Sequence, residues 1–139
     1  MAESININWQ GDMSFDAVVN GHHIVLDAVA AVGGKDQGPR PKPLILVALA
    51  GCTGMDVVSI LEKMRVKPDA LNIEVEGELT EEHPRYYHKL HIIYHFTGQD
   101  LPVDKLEKAI QLSQERYCGV TAMLQKAAVI THEIRLNPS

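Results

Sequence analysis

Between Asn72 and Leu79 the chain alternates: Asn72, Glu74, Glu76 and Glu78 fall on one side, Ile73, Val75 and Leu79 on the other. A period of two is the pattern of a strand with one face in water and one on a core. Tyr86–Phe96 repeats it, with Leu90, Ile92, Tyr94 and Phe96 on one face and Lys89, His91, Ile93 and His95 on the other. Val129–Leu136 is a third alternating stretch. Nearer the start, Phe15–Val19 and His22–Val29 flank Asn20-Gly21, a pair that tolerates positive φ at both positions and predicts a two-residue hairpin turn. Ile5–Trp9 also alternates and predicts a preceding strand.

Two segments carry a helical pattern instead. Leu44–Arg65 has almost no polar face before Ser59, and a helix apolar all round is a buried one. Gly51 and Gly54 weaken it around Cys52 and predict a kink or a break there. Pro68 closes the segment. The second helix is expected over Val103–Ala127, with Pro102 suited to its first turn and a weak point at Cys118-Gly119. The stretch GGKDQGPRPKP, residues 33–43, is a loop stiffened at its end by prolines. The order is strands, buried helix, strands, helix, strand. Segregated antiparallel pairs of this kind predict an α+β fold, not a parallel βαβ one. No linker, repeat or low-complexity stretch divides the chain, so a single domain over residues 1–139 is expected.

Charge and composition narrow the classes. A net charge of −5 argues against non-specific nucleic-acid binding. The longest apolar run, Leu44–Cys52, is too short to cross a bilayer, and MAESININWQ has neither the basic nor the apolar part of a signal peptide. The expectation is a cytoplasmic protein with no nucleic-acid or membrane partner. Its two cysteines are then reduced thiols, without the CxxC spacing of a zinc site.

Each cysteine lies in a helical segment beside glycine, as GCTG at Cys52 and YCGV at Cys118. Free cysteine is most often a buried packing residue. A reactive thiol needs its pKa lowered, by a helix N-terminus or a cation. A helix broken at glycine would give Cys52 such an N-terminus, while the carboxylate of Asp56, four residues on, would oppose it. Both roles are open on these residues alone. The histidines suggest no metal: His22 and His23 face opposite ways, and His91 and His95 stand about 13 Å apart by strand rise. His83, His88 and His132 are expected at the surface or in hydrogen bonds. No metal and no cofactor are expected.

The stretch RPKPLILVALAGCTGMDVVSILEKM resembles the first-cysteine segment of the OsmC/Ohr family, and ERYCGVTAMLQKAAVITHEI resembles its second. TEEHPRYYHKLHIIYHFTGQDL looks like the connecting hairpin of the OsmC-like branch. The resemblance covers roughly the whole chain. It implies an OsmC-like fold, with antiparallel strands wrapped round two central helices in an intertwined homodimer. It implies a thiol-dependent peroxidase acting on organic or lipid hydroperoxides. In that scheme Cys52 is peroxidatic, Cys118 resolves it as an intramolecular disulfide, and a lipoyl or other dithiol restores the pair. Peroxidases of the family also carry an arginine from the N-terminal strands and a glutamate about ten residues before the first cysteine. Here no arginine precedes Arg40, and the glutamate position falls on Lys42 or Pro43. Arg40, in the rigid PRPKP segment, is the candidate substitute, with Asp56 or Glu115 to orient it. The alternatives are a dimeric binding module on the same fold and a thiol redox sensor.

Overall fold

Asn20 and Gly21 take φ of 51° and 79°, so the turn expected of them forms. It joins β2 (Phe15–Val19) to β3 (His22–Leu26), with Val19 opposite His22. β1 (Asn6–Trp9) pairs with the other edge of β2, giving an antiparallel sheet in the order β1-β2-β3. β3 stops at Leu26, short of the expected Val29, because Asp27 redirects the chain. Its buried carboxylate accepts the amides of Ala28, Lys35 and Gln37, and its own amide donates to Pro39. Those amides, Ala28 foremost, hold the Asp27 carboxyl below the ordinary carboxylate range. The loop folds back so tightly that a Cβ on Gly34 would collide with the Ala28 carbonyl, and one on Gly38 with that of Val25.

The computed structural model describes residues 2–137. Their contacts fall into two compact units, divided between Ile45 and Leu46; the first holds the sheet just described.

The second unit contains nearly all of α1 (Leu44–Lys63). Leu49, Thr53, Val57 and Leu61, four residues apart, form its buried stripe. The expected break at Cys52 is absent: the helix runs unbroken through Gly51 and Gly54. Glycine weakens a helix by about 1 kcal/mol each but removes no hydrogen bond, and the buried stripe outweighs that cost. Gly54 has a packing reason, since a Cβ there would stand 2.9 Å from Ile73 Cδ1. Full burial of α1 is also corrected, because Val47, Met55 and Val58 are more than half exposed. By length and composition α1 could span a membrane, despite the short run read from the sequence, yet its buried stripe lies in this core.

β4 (Ala70–Leu79), β5 (Tyr87–Thr97) and β6 (Val129–Leu136) form the second sheet, in that order. β4 and β5 are antiparallel, with a bulge at Glu78/Leu79. Beyond that bulge Leu79 is exposed, not in the core as its alternation suggested. β5 and β6 are parallel, which corrects the all-antiparallel expectation. Parallel neighbours need a long crossover, and the second helical segment supplies it. Leu90, Ile92, Tyr94 and Phe96 face Leu49, Val57, Leu61, Leu106 and Ile110 in one core. On the other face, polar pairs flank a fully buried Ile93: His91 bonds Thr131 and Glu133, and His95 bonds Glu74.

The crossover is not one helix over Val103–Ala127. α2 (Val103–Leu112), capped by Pro102, passes into a single π turn at Ser113–Tyr117. Cys118 then adopts an extended conformation, and α3 (Gly119–Leu124) begins after it. The weak point expected at Cys118-Gly119 is a true break. The α+β class stands, with one antiparallel and one mixed sheet and two main helical segments.

Candidate active site

α1 presents Cys52 and Asp56 one turn apart on the same side. The break after the π turn brings Cys118 to them. The two sulfurs and a carboxylate oxygen of Asp56 all lie within 4.8 Å of one another. Cys118 is buried and Cys52 and Asp56 are half-buried.

The π turn has a direct part in this placement. The Cys118 amide donates to the Ser113 carbonyl at 2.7 Å, which turns the chain sharply. The Cys118 sulfur then caps α3, accepting the Thr121 amide at 3.3 Å. The sequence placed a fresh helix N-terminus at Cys52; the structure puts it at Cys118, and Cys52 sits mid-helix. The Val120 amide, next in the chain to that of Thr121, nevertheless favours the ionised form of the Cys52 sulfur.

Behind the sulfurs runs a buried chain of hydroxyls. Gln114 Nε2 donates to Tyr94 Oη (3.1 Å), and Tyr94 Oη and Thr53 Oγ1 are 2.7 Å apart. Thr53 Oγ1 and Ser113 Oγ are 2.9 Å apart, and Ser113 Oγ donates to Asp56 Oδ2 at 2.9 Å. The ends fix the direction. A carboxylate only accepts, so Ser113 gives its proton to Asp56 and accepts from Thr53. Thr53 must then accept from Tyr94. Every hydroxyl donates once, and the chain ends on the carboxylate beside the sulfurs. His132 packs edge-on against the Tyr94 ring at 6.1 Å and bonds Glu107 at 2.7 Å.

Electrostatics at Cys52 do not favour ionisation. Burial first, then the hydrogen bond with Cys118, push the Cys52 thiol above its ordinary value; the Val120 amide opposes them, and the charge of Asp56 adds to the rise. Burial likewise raises the Tyr94 phenol, against its hydrogen bonds with Thr53 and Gln114.

Arg40 lies in the first unit. Its guanidinium donates to the Gly38 carbonyl at 2.8 Å and to Asp36 Oδ1 at 2.6 Å. Within that unit its carboxylate partner is Asp36; Asp56 and Glu115, the partners offered by the sequence, belong to the second unit. Lys42 is exposed. Sequence reasoning missed Thr53, Tyr94, Ser113 and Gln114. One signal was available: Thr53 is the polar member of the i, i+4 stripe between Leu49 and Val57, and a buried hydroxyl needs partners.

Comparison with known proteins agrees with this architecture. The model of the OsmC-like protein family matches residues 34–133, a span that holds both cysteines. Protein YhfA of Escherichia coli K12 is 35% identical over 127 residues, 91% of this chain and 92% of that protein. A hypothetical protein of Aquifex aeolicus has 27% identity and a TM-score of 0.82, with 99% of each chain covered. The organic hydroperoxide resistance protein OhrB of Bacillus subtilis superposes with a TM-score of 0.69 over 97% of this chain and 98% of its own. At 14% identity that is a likeness of fold alone.

Proposed function

The chain belongs to the OsmC-like protein family, and from that premise we propose that it is a cytoplasmic thiol-dependent peroxidase for organic or lipid hydroperoxides. The observation that carries the reading is the meeting of Cys52, Cys118 and Asp56 within 4.8 Å. The Cys52 thiolate attacks the outer peroxide oxygen, and the O–O bond breaks. The alkoxide takes a proton and leaves as the alcohol, while Cys52 becomes a sulfenic acid. The Cys118 sulfur attacks that sulfur, water leaves, and a disulfide forms. A lipoyl or other dithiol reduces it by exchange, itself becoming the disulfide. Arg40, held by Asp36, is assigned to the peroxide and the thiolate in place of the family's missing arginine. The working unit is a homodimer of one OsmC-like domain, residues 1–139, and the exposed Val47–Met55–Val58 stripe of α1 supports it.

Single-turnover kinetics with cumene hydroperoxide test these roles. Cys52→Ser should consume no peroxide. Cys118→Ser should consume one equivalent and leave a sulfenic acid. Arg40→Ala should slow the first step about a hundredfold, and Lys42→Ala much less. An unchanged rate in Arg40→Ala rejects Arg40 alone; an unchanged rate in Cys52→Ser rejects the mechanism. One observation favours a second reading, a binding module or redox sensor on the same fold: the Cys52 thiol is raised, not lowered. Slow alkylation of Cys52 at neutral pH, with no peroxide consumed, would select it.

A further inference from the structure

We propose that the reduced Cys52–Cys118–Asp56 trio is a binding site for a thiophilic divalent cation of the zinc class. The sequence lacks the local CxxC spacing of zinc sites, but the fold assembles the donors from three separate turns of helical chain: two on α1 and the break before α3.

Three features of the trio fit such an ion. The first is spacing. Zinc takes sulfur at about 2.3 Å and carboxylate oxygen at about 2.0–2.2 Å, so tetrahedral donors stand roughly 3.5–3.8 Å apart. The three donor atoms here already lie within 4.8 Å of one another, so side-chain adjustments of about 1 Å close the site. Thiolate sulfur and carboxylate oxygen are both donors that zinc takes, and three protein ligands leave the fourth position open to water, as in open zinc sites.

The second is the support that metal sites need to orient their ligands, present behind two of the donors, Cys118 and Asp56. The Thr121 amide holds the Cys118 sulfur at 3.3 Å. Ser113 holds Asp56 through Oδ2, and Ser113 is itself fixed by fully buried Thr53 and Tyr94. That arrangement fixes the carboxylate while leaving lone pairs for an ion.

The third is charge. The donors offer up to three negative charges in one half-buried spot. Within this unit the ion pairs of the described residues engage Glu74, Glu78, Glu107 and Glu133, and none engages Asp56. A divalent cation supplies the compensation. On binding, the two thiols release their protons to solvent and become thiolate ligands, with no change of oxidation state. A Cys52–Cys118 disulfide removes both sulfur donors, so the ion and the disulfide exclude each other.

Cobalt(II) titration of the reduced, full-length protein without oxygen tests the site. The expected result is one cobalt per chain, with strong thiolate-to-cobalt absorption in the near ultraviolet and displacement by one equivalent of zinc. The absorption should vanish in Cys52→Ser/Cys118→Ser and in protein oxidised to the disulfide. Asp56→Asn should weaken binding by about tenfold or more, and Asp56→Glu, which keeps the carboxylate, should recover part of it. Circular dichroism identifies any variant that fails to fold, and the wild-type titration decides the matter without variants. Absence of the thiolate band at stoichiometric cobalt overturns the site, as does a band that survives in the double variant. Unchanged affinity in a folded Asp56→Asn overturns the three-residue assignment. Peroxide turnover without cobalt binding would sink this proposal and leave the peroxidase; cobalt binding without turnover would do the reverse.

Discussion

Asp56 is the residue on which the chemistry of the thiols turns. It sits one helical turn from Cys52, its carboxylate is steadied by Ser113, and its charge works against a Cys52 thiolate. Burial and the Cys118 hydrogen bond work in the same direction. The thiol of Cys52 is therefore held above the ordinary range, and its reactivity rises with pH. Iodoacetamide alkylation of Cys52, followed against pH in Cys118→Ser, should show a midpoint above the ordinary value of about 8.5. Removal of the negative charge in Asp56→Asn should move that midpoint down and speed alkylation at pH 7. A midpoint that moves up would mean that Asp56 assists ionisation. At this scale the sequence was half legible. Both cysteines, and the opposition from Asp56, followed from local context. The hydroxyl chain did not, because Thr53, Tyr94 and Ser113 stand at positions that packing alone would also fill. Only tertiary structure shows that they meet.

That same chain clasps three elements: Thr53 on α1, Tyr94 on β5 and Ser113 on the π turn. All three side chains are fully buried, so a lost partner leaves a polar atom without water. Thr53→Val keeps the shape and removes the link. It should destabilise the fold by roughly 1–3 kcal/mol, the cost of stranding buried hydroxyls, as read from the urea midpoint. A neutral substitution would mean that Tyr94 and Ser113 find other partners. Element types were the most legible part of the sequence, since period two and helical period differ sharply. Directions and breaks were less so. Alternation in Val129–Leu136 carries no sign, so the parallel pairing of β6 with β5 was hidden. Glycine beside each cysteine suggested a break at both. The break occurs only at Cys118, where the Ser113 carbonyl and a sulfur cap reward it, and not at Cys52, where a buried stripe holds the helix straight.

For the whole molecule, the unanswered apolar surface is the guide. On α1, Val47, Met55 and Val58 recur on the side of Gly51 and are 63%, 78% and 54% exposed. On β1, Ile5 precedes an edge with Ile7 and Trp9 exposed. Apolar surface in such a stripe favours association, and the family resemblance implies the partner is a second copy. Sedimentation should give a dimer at micromolar concentration, and Met55→Glu should shift it toward smaller species. A stable, folded monomer of the unmodified chain at that concentration would sink the homodimer. Assembly was the least legible level: the sequence marks α1 as apolar all round but does not say what covers each side.

The proposed function stands on Cys52 and Cys118 acting as one redox pair. Its most direct test is peptide mapping, without reductant, of reduced protein given one equivalent of organic hydroperoxide. A single 52–118 disulfide within the chain and loss of the peroxide are expected. Two free thiols beside unconsumed peroxide would contradict it.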